Sequence, residues 1–267
     1  MILASASAAS MVMALSTAAA YAVPAVGARH LSNAASRLTL IVAWLLHASV
    51  LAWGLMGETP RFGFAPALSV TAWLVLTVYA IEREMFPQLE ARWAVASLGA
   101  AAVILAMVFP GSELHSASPW LPLHWALGIS SYGLIAAAVI HAWLMTRAER
   151  SIRAAADPQA GLPLLTLERL TFRFAMAGFV LLSATLAAGI FFSETIYGPG
   201  HGMKWDHKAV FSVLAWLVFA TLLVGRWKFG WRGRRAVRWL YIGSILLLLG
   251  YAGSRFVLEV ILGRASS

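Results

Sequence analysis

The sequence contains no cysteine, which excludes disulfides, thiolate metal sites, cysteine-ligated iron–sulfur clusters and thiol exchange. It is also poor in charge. Asp, Glu, Lys and Arg make up 12% of its 267 residues, about half the roughly 25% of an ordinary soluble chain. Too few charges to cover a water-exposed surface exclude a soluble globular enzyme. The local signatures of soluble chemistry are missing as well: there is no P-loop, no GxSxG, no HExxH and no phosphate-cradling glycine run. The formal charge is +9, with no basic block long enough to act as a nucleic-acid arm.

What the sequence has is apolar length. The hydrophobic share is 61% and the mean hydropathy +0.78. A bilayer core needs about 20 mostly apolar residues per helix, and eight such runs are present: Ile2–Val23, Leu38–Met56, Phe64–Ile81, Trp93–Phe109, Trp120–Met145, Phe174–Phe192, Ala209–Val224 and Trp239–Leu262. No Lys or Arg precedes the first run, unlike a secretory signal, so it reads as a retained helix. The expected fold is an all-α polytopic membrane bundle of about eight helices, forming a single transmembrane domain over residues 1–267. Within the loop of residues 146–173, the amphipathic stretch Leu164–Arg173 is expected to lie along the inner interface.

Charge bias orients the spans. All of the 20 basic residues except Arg61, Lys204, Lys208, Arg255 and Arg264 follow odd-numbered helices. The positive-inside rule then places both termini outside, in the periplasm if the host is a Gram-negative bacterium. The segment Gly230–Arg235 reads as a basic turn at the lipid headgroups.

Seven histidines supply the remaining chemistry. His47 sits mid-span in the second run, where an ionisable group is costly and calls for a partner; packing and function are both open to it. His124, between Trp120 and Trp125 at the outer end of the fifth run, is placed to ligate a metal or haem iron at the membrane edge. His141, near Trp143 and Arg147, reads as an inner interfacial residue. The outer loop from Tyr197 to Lys208 carries Lys204, Trp205, Asp206, His207 and Lys208 in close order. One reading makes Asp206 the cap of the next helix. The other makes the loop a surface site, with Trp205 stacking on a planar ligand and the lysines pairing with carboxylates. Arg255 and Glu259, four apart in the last run, form an ion pair or leave Arg255 to clamp an anion.

Three passages carry a family resemblance: HWALGISSY at His124–Tyr132, WDHKAVFSVLAW at Trp205–Trp216, and GWRGRR at Gly230–Arg235 followed by GYAGSR at Gly250–Arg255. With the eight-span layout, they resemble the cytochrome c assembly membrane protein family, the CcsA/HemX-like group, and within it the short YpjD-type inner-membrane branch. In synthases of that group, a tryptophan-rich outer loop presents haem to apocytochrome c and histidines on either side hold the iron. The resemblance maps His124 onto the outer histidine before the loop and Trp205 and Asp206 onto the tail of the tryptophan-rich motif.

The sequence departs from the synthase pattern. Its loop keeps one tryptophan, and no histidine occurs around Val224, among Trp227–Arg238 or in the final run. The expectation is therefore a protein that binds or handles haem rather than an enzyme that forms thioethers. Its axial ligands would be His124 with His207, or His47 as the second. Trp205 and Asp206 would line the site, and Lys204, Lys208 or Arg255 would pair with propionates. Expected partners are the lipid bilayer and proteins of haem or cytochrome c maturation, with no role for nucleic acid. Two alternatives stand beside this: a non-catalytic partner or regulator acting through the basic inner loops, and a small transporter.

Overall fold

The computed structural model describes residues 8–27, 31–56, 61–85, 92–113, 120–154, 163–197 and 206–261. They form helices α1 (Ala8–Val26), α2 (Asn33–Met56), α3 (Phe64–Met85), α4 (Arg92–Val108), α5 (Leu121–Arg153), α6 (Leu164–Phe191), α7 (Ser193–Tyr197), α8 (His207–Phe229) and α9 (Gly233–Leu248). The helix α9 continues through a π-helical stretch, Leu249–Gly253, into α10 (Ser254–Phe256) and a second π-helical stretch, Val257–Ile261. Among the described residues, seven helices are long and apolar enough to cross a membrane. The fourth expected span falls short of that length. At 17 residues and 1.5 Å per residue it reaches roughly 25 Å, against a hydrocarbon core of about 30 Å. The all-α polytopic fold expected from the sequence is the fold observed.

The helices gather into two compact units, the first built from α1–α4 with residues 255–261, the second from α5 to Ser254. In the first unit, α1 packs on both α2 and α4. Small residues make this possible: α1 buries Ala14, Thr17 and Ala18 beside Tyr21, and α4 buries Val95, Ala96, Gly99, Ala102 and Val103. Without a hydrophobic drive between helices in lipid, such close approach and interhelical hydrogen bonds are what hold them. A two-residue ribbon, β1 (Arg61–Phe62) with β2 (Ser112–Glu113), ties two loops together, and Arg61 pairs with Glu113 at 3.1 Å. That pairing explains one basic residue on the side where few are found.

In the second unit the most intimate pair is α5 with α6. Ser131 Oγ donates to the Gly178 carbonyl at 2.8 Å, and Ile135 lies over Gly178. The core continues through Ala138, Ala142, Ala175, Leu182, Phe219, Leu240 and Leu247. Tyr132 donates to the Leu247 carbonyl at 2.6 Å where α9 widens from α to π turns. Both α5 (33 residues) and α6 (28 residues) outrun the bilayer core. The stretch Leu164–Arg173 is thus the first part of a continuous α6 rather than a separate helix along the interface. One face of it is used in packing: Leu167, Leu170 and Thr171 are buried.

A glycine closes α8. Gly230 adopts φ 62°, ψ 29°, and the Trp231 amide reaches back to the Gly225 carbonyl at 3.1 Å, the pattern of a left-handed helix stop. A side chain at that φ costs about 1–2 kcal/mol. Gly230→Ala should therefore lower stability by that amount, read as a reduced melting temperature in detergent.

Candidate functional site

The sequence places seven candidate groups at the end of the bundle expected to face outward. His124 lies in the first turn of α5, where its amide bonds the Trp120 carbonyl at 3.0 Å. Its half-buried ring faces α6 at Gly189, whose missing side chain leaves an ordinary 3.6 Å separation between a Cβ there and His124 Cε1. Because α5 and α6 are antiparallel, this brings the start of one helix against the end of the other. The same end exposes Trp120, Phe191 and Phe192. The two phenylalanines were not read from the sequence as part of a site, since hydropathy merges them into the sixth span.

His207 is the first residue of α8 and is exposed. Asp206 caps that helix: its Oδ1 accepts from the Ala209 amide at 2.9 Å, and the local charge suits a helix N-terminus. Lys208 Nζ stands 3.8 Å from the second carboxylate oxygen. The capping role expected of Asp206 is borne out. His124 and His207 thus lie at one end of one unit, His124 partly shielded by α6 and His207 open. Lys204 and Trp205 fall outside the described residues, as do His115 and His201. Of Arg255 and Glu259, only the backbone is described.

His47 is placed differently. It is fully buried in the first unit, with Nδ1 3.1 Å from Tyr21 Oη and Nε2 2.8 Å from Ser69 Oγ. Either neutral tautomer satisfies both contacts, since each hydroxyl can donate or accept. The three residues come from α1, α2 and α3, so one imidazole links three helices. Gly99 of α4 makes room for the tyrosine, because a Cβ there would meet its ring at 2.9 Å. Nearby, Trp44 stacks on Trp73 at 4.9 Å and donates to Thr77 Oγ1 at 2.8 Å. Both ring nitrogens of His47 are thus engaged in hydrogen bonds. Tyr21 and Ser69 escaped the sequence reading; the one available signal was a tyrosine in an Ala-rich helix.

His141 faces the interior of the second unit. Its ring is buried between α5 and α6, Nδ1 donates to the Ala137 carbonyl at 2.7 Å, and Phe174 lies 5.2 Å away. The helix α5 runs twelve residues past His141 to Arg153. Among the described residues no group of three His, Asp or Glu side chains is arranged to hold a metal ion.

This is a helical, multi-pass membrane protein with an imidazole-bearing end, and its sequence places it in a family. Residues 3–262 match the family described as Cytochrome C assembly protein, and the chain belongs to that family. It is 34% identical over 147 residues to the inner membrane protein YpjD of Escherichia coli strain K12, a match covering 54% of each chain. It therefore spans about half the length of that relative. The cytochrome c biogenesis protein CcsA of Synechococcus strain CC9902 is 26% identical over 254 residues, covering 81% of this chain and 82% of its own. CcsA of Synechococcus strain CC9605 is 24% identical over 251 residues with the same coverage. No solved structure matches.

Proposed function

We propose that this protein binds haem at the outer face of a bacterial inner membrane and handles it in cytochrome c maturation without attaching it covalently. The observation that carries the reading is the end of the second unit. There His124 sits half-buried against Gly189, beside exposed Trp120, Phe191 and Phe192, with His207 starting α8 at the same end. This donor set fits haem: two imidazoles suit the iron, an apolar aromatic surface suits the macrocycle, and Lys208 suits a propionate. Trp205 and Asp206 belong to the same loop, and Lys204 and Arg255 are the other candidate cations. When bound, haem would supply the redox and ligand chemistry of its iron. The chain's own part is to hold it, shield one face through α6 and keep it at the membrane edge. His47 is the weaker candidate for second ligand because both of its nitrogens are engaged.

The test is an absorption spectrum of the detergent-purified protein, oxidised and dithionite-reduced, beside His124→Ala, His207→Ala and His47→Ala. The expected result is a Soret band with sharp reduced α and β bands in the wild type. These bands should be lost in the first two variants and kept in the third. A folded wild type that carries no haem after expression with ample haem supply would sink the reading and favour a partner or regulator acting through the basic inner loops.

A further inference from the structure

At the opposite end of the second unit, a cavity of about 590 Å³ opens between the start of α6 and the end of α8. Its polar wall is formed by Glu168, Arg169, Arg173, Arg226 and Arg232, with Phe172 between them. Four guanidiniums surround one carboxylate. That carboxylate is already shared: Glu168 Oε1 pairs with Arg226 and stands 3.6 Å from Arg232 Nε. Arg226 is held further by the Trp231 carbonyl at 3.2 Å and lies over the Phe172 ring at 4.5 Å. Trp231 is in turn seated against Gly225, where a Cβ would approach its ring to 2.4 Å. The cavity therefore has a fixed back wall.

Its front wall carries surplus positive charge. Arg169 and Arg173 are exposed and four apart on one face of α6, a spacing at which like charges repel. Deeper along α6 the lining is apolar, with Met176 49% exposed and Ala177 beside it. Helix length sets the depth. Counting about 20 residues of hydrocarbon back from Phe191 puts the inner boundary of the core near Phe172. Glu168 and Arg169 then lie at headgroup level, and Met176 lies at acyl level. An arginine-rich upper half over an apolar lower half, at that depth, is complementary to one kind of molecule.

We propose that this cavity binds an anionic phospholipid of the inner leaflet. The phosphodiester would be held by Arg169, Arg173 and Arg232, and an acyl chain would lie along Met176 and Ala177. Arginine suits the role because its planar fork pairs bidentately with phosphate oxygens. This goes beyond general charge bias, which needs no particular arrangement: here guanidiniums from α6, α8 and the turn before α9 converge on one space.

The test measures binding of phosphatidylglycerol, of phosphatidylcholine with the same acyl chains, and of water-soluble glycerol 3-phosphate to the full chain in detergent, by native mass spectrometry. Each basic group near an anionic surface contributes a factor of about 5 in affinity, so Arg169→Gln with Arg173→Gln should weaken phosphatidylglycerol roughly 30-fold. Arg238→Gln, outside the cavity, should leave it unchanged, and Arg169→Lys with Arg173→Lys should hold it within a few-fold. Phosphatidylcholine binding as well as phosphatidylglycerol, or a glutamine variant with wild-type affinity, overturns the proposal. Glycerol 3-phosphate competing as well as the lipid also overturns it, by assigning the cavity to soluble phosphate.

Discussion

Replacing Gly178 by valine is expected to destabilise the protein by about 3 kcal/mol, the upper end of what overpacking a well-filled interface costs. The helices α5 and α6 meet at this glycine. A Cβ on residue 178 would stand 2.6 Å from Ile135 Cγ1 and 3.3 Å from the Ile135 backbone nitrogen. A side-chain contact can be relieved by a rotamer change, but the backbone contact can be relieved only by moving a helix. The displacement would also stretch the bond from Ser131 Oγ to the Gly178 carbonyl. Gly178→Ala, with one added carbon, should cost less, on the order of 1–2 kcal/mol. The complementary change tests the cause: Ile135→Ala in the Gly178→Val background should recover part of the loss. Thermal unfolding in detergent reads all three. Equal stability of Gly178→Val and wild type would mean that these helices do not approach as closely as described. Because Gly189 and His124 sit on the same helix pair, the haem binding proposed above should also weaken in Gly178→Val.

The spans were legible in the sequence for a plain reason. Each must supply about 20 apolar residues to satisfy its backbone in hydrocarbon, and composition alone records that. The ends of helices were less legible. The sequence break at Gly161–Pro163 marks where α6 begins, but the arginines of Leu164–Arg173 suggest a helix lying on the surface, and only the burial of Leu167 and Leu170 joins it to the span. Asp206 was readable as a cap because capping is local: its partner, Ala209, is three residues away. The partners of His47 were not readable. Tyr21 is 26 residues before it and Ser69 is 22 residues after it, and hydropathy records that three helices are apolar without recording which faces meet. The same limit hid the inner cavity, whose Glu168 and Arg226 are 58 residues apart. Chemistry built within a turn can be read from neighbours in sequence, whereas chemistry shared between spans requires the packing.

His47→Leu, which keeps the approximate volume and removes both ring nitrogens, is expected to cost about 2–4 kcal/mol. The loss has two sources, because Tyr21 Oη and Ser69 Oγ would each lose a partner in a fully buried setting, and an orphaned buried polar group costs about 1–3 kcal/mol. Hydrogen bonds between membrane helices are often worth less, averaging about 0.6 kcal/mol in double-mutant cycles. That average is lowered because the unfolded, membrane-inserted chain also finds partners for such groups. Here Gly99 holds α4 against the Tyr21 ring, so the tyrosine hydroxyl has little room to turn. The larger estimate follows from this confinement. Removing the orphaned groups should then restore stability: the triple variant His47→Leu, Tyr21→Phe, Ser69→Ala is expected to melt above the single variant, since an apolar replacement of all partners can be nearly neutral. If the triple variant is instead less stable than His47→Leu alone, polar strain is not the cause and lost packing is. The same two proteins separate structure from haem chemistry. A triple variant that recovers its melting temperature and retains a wild-type haem spectrum makes His47 a strut joining α1, α2 and α3. Recovery of stability with loss of the reduced α band would return His47 to the ligand set.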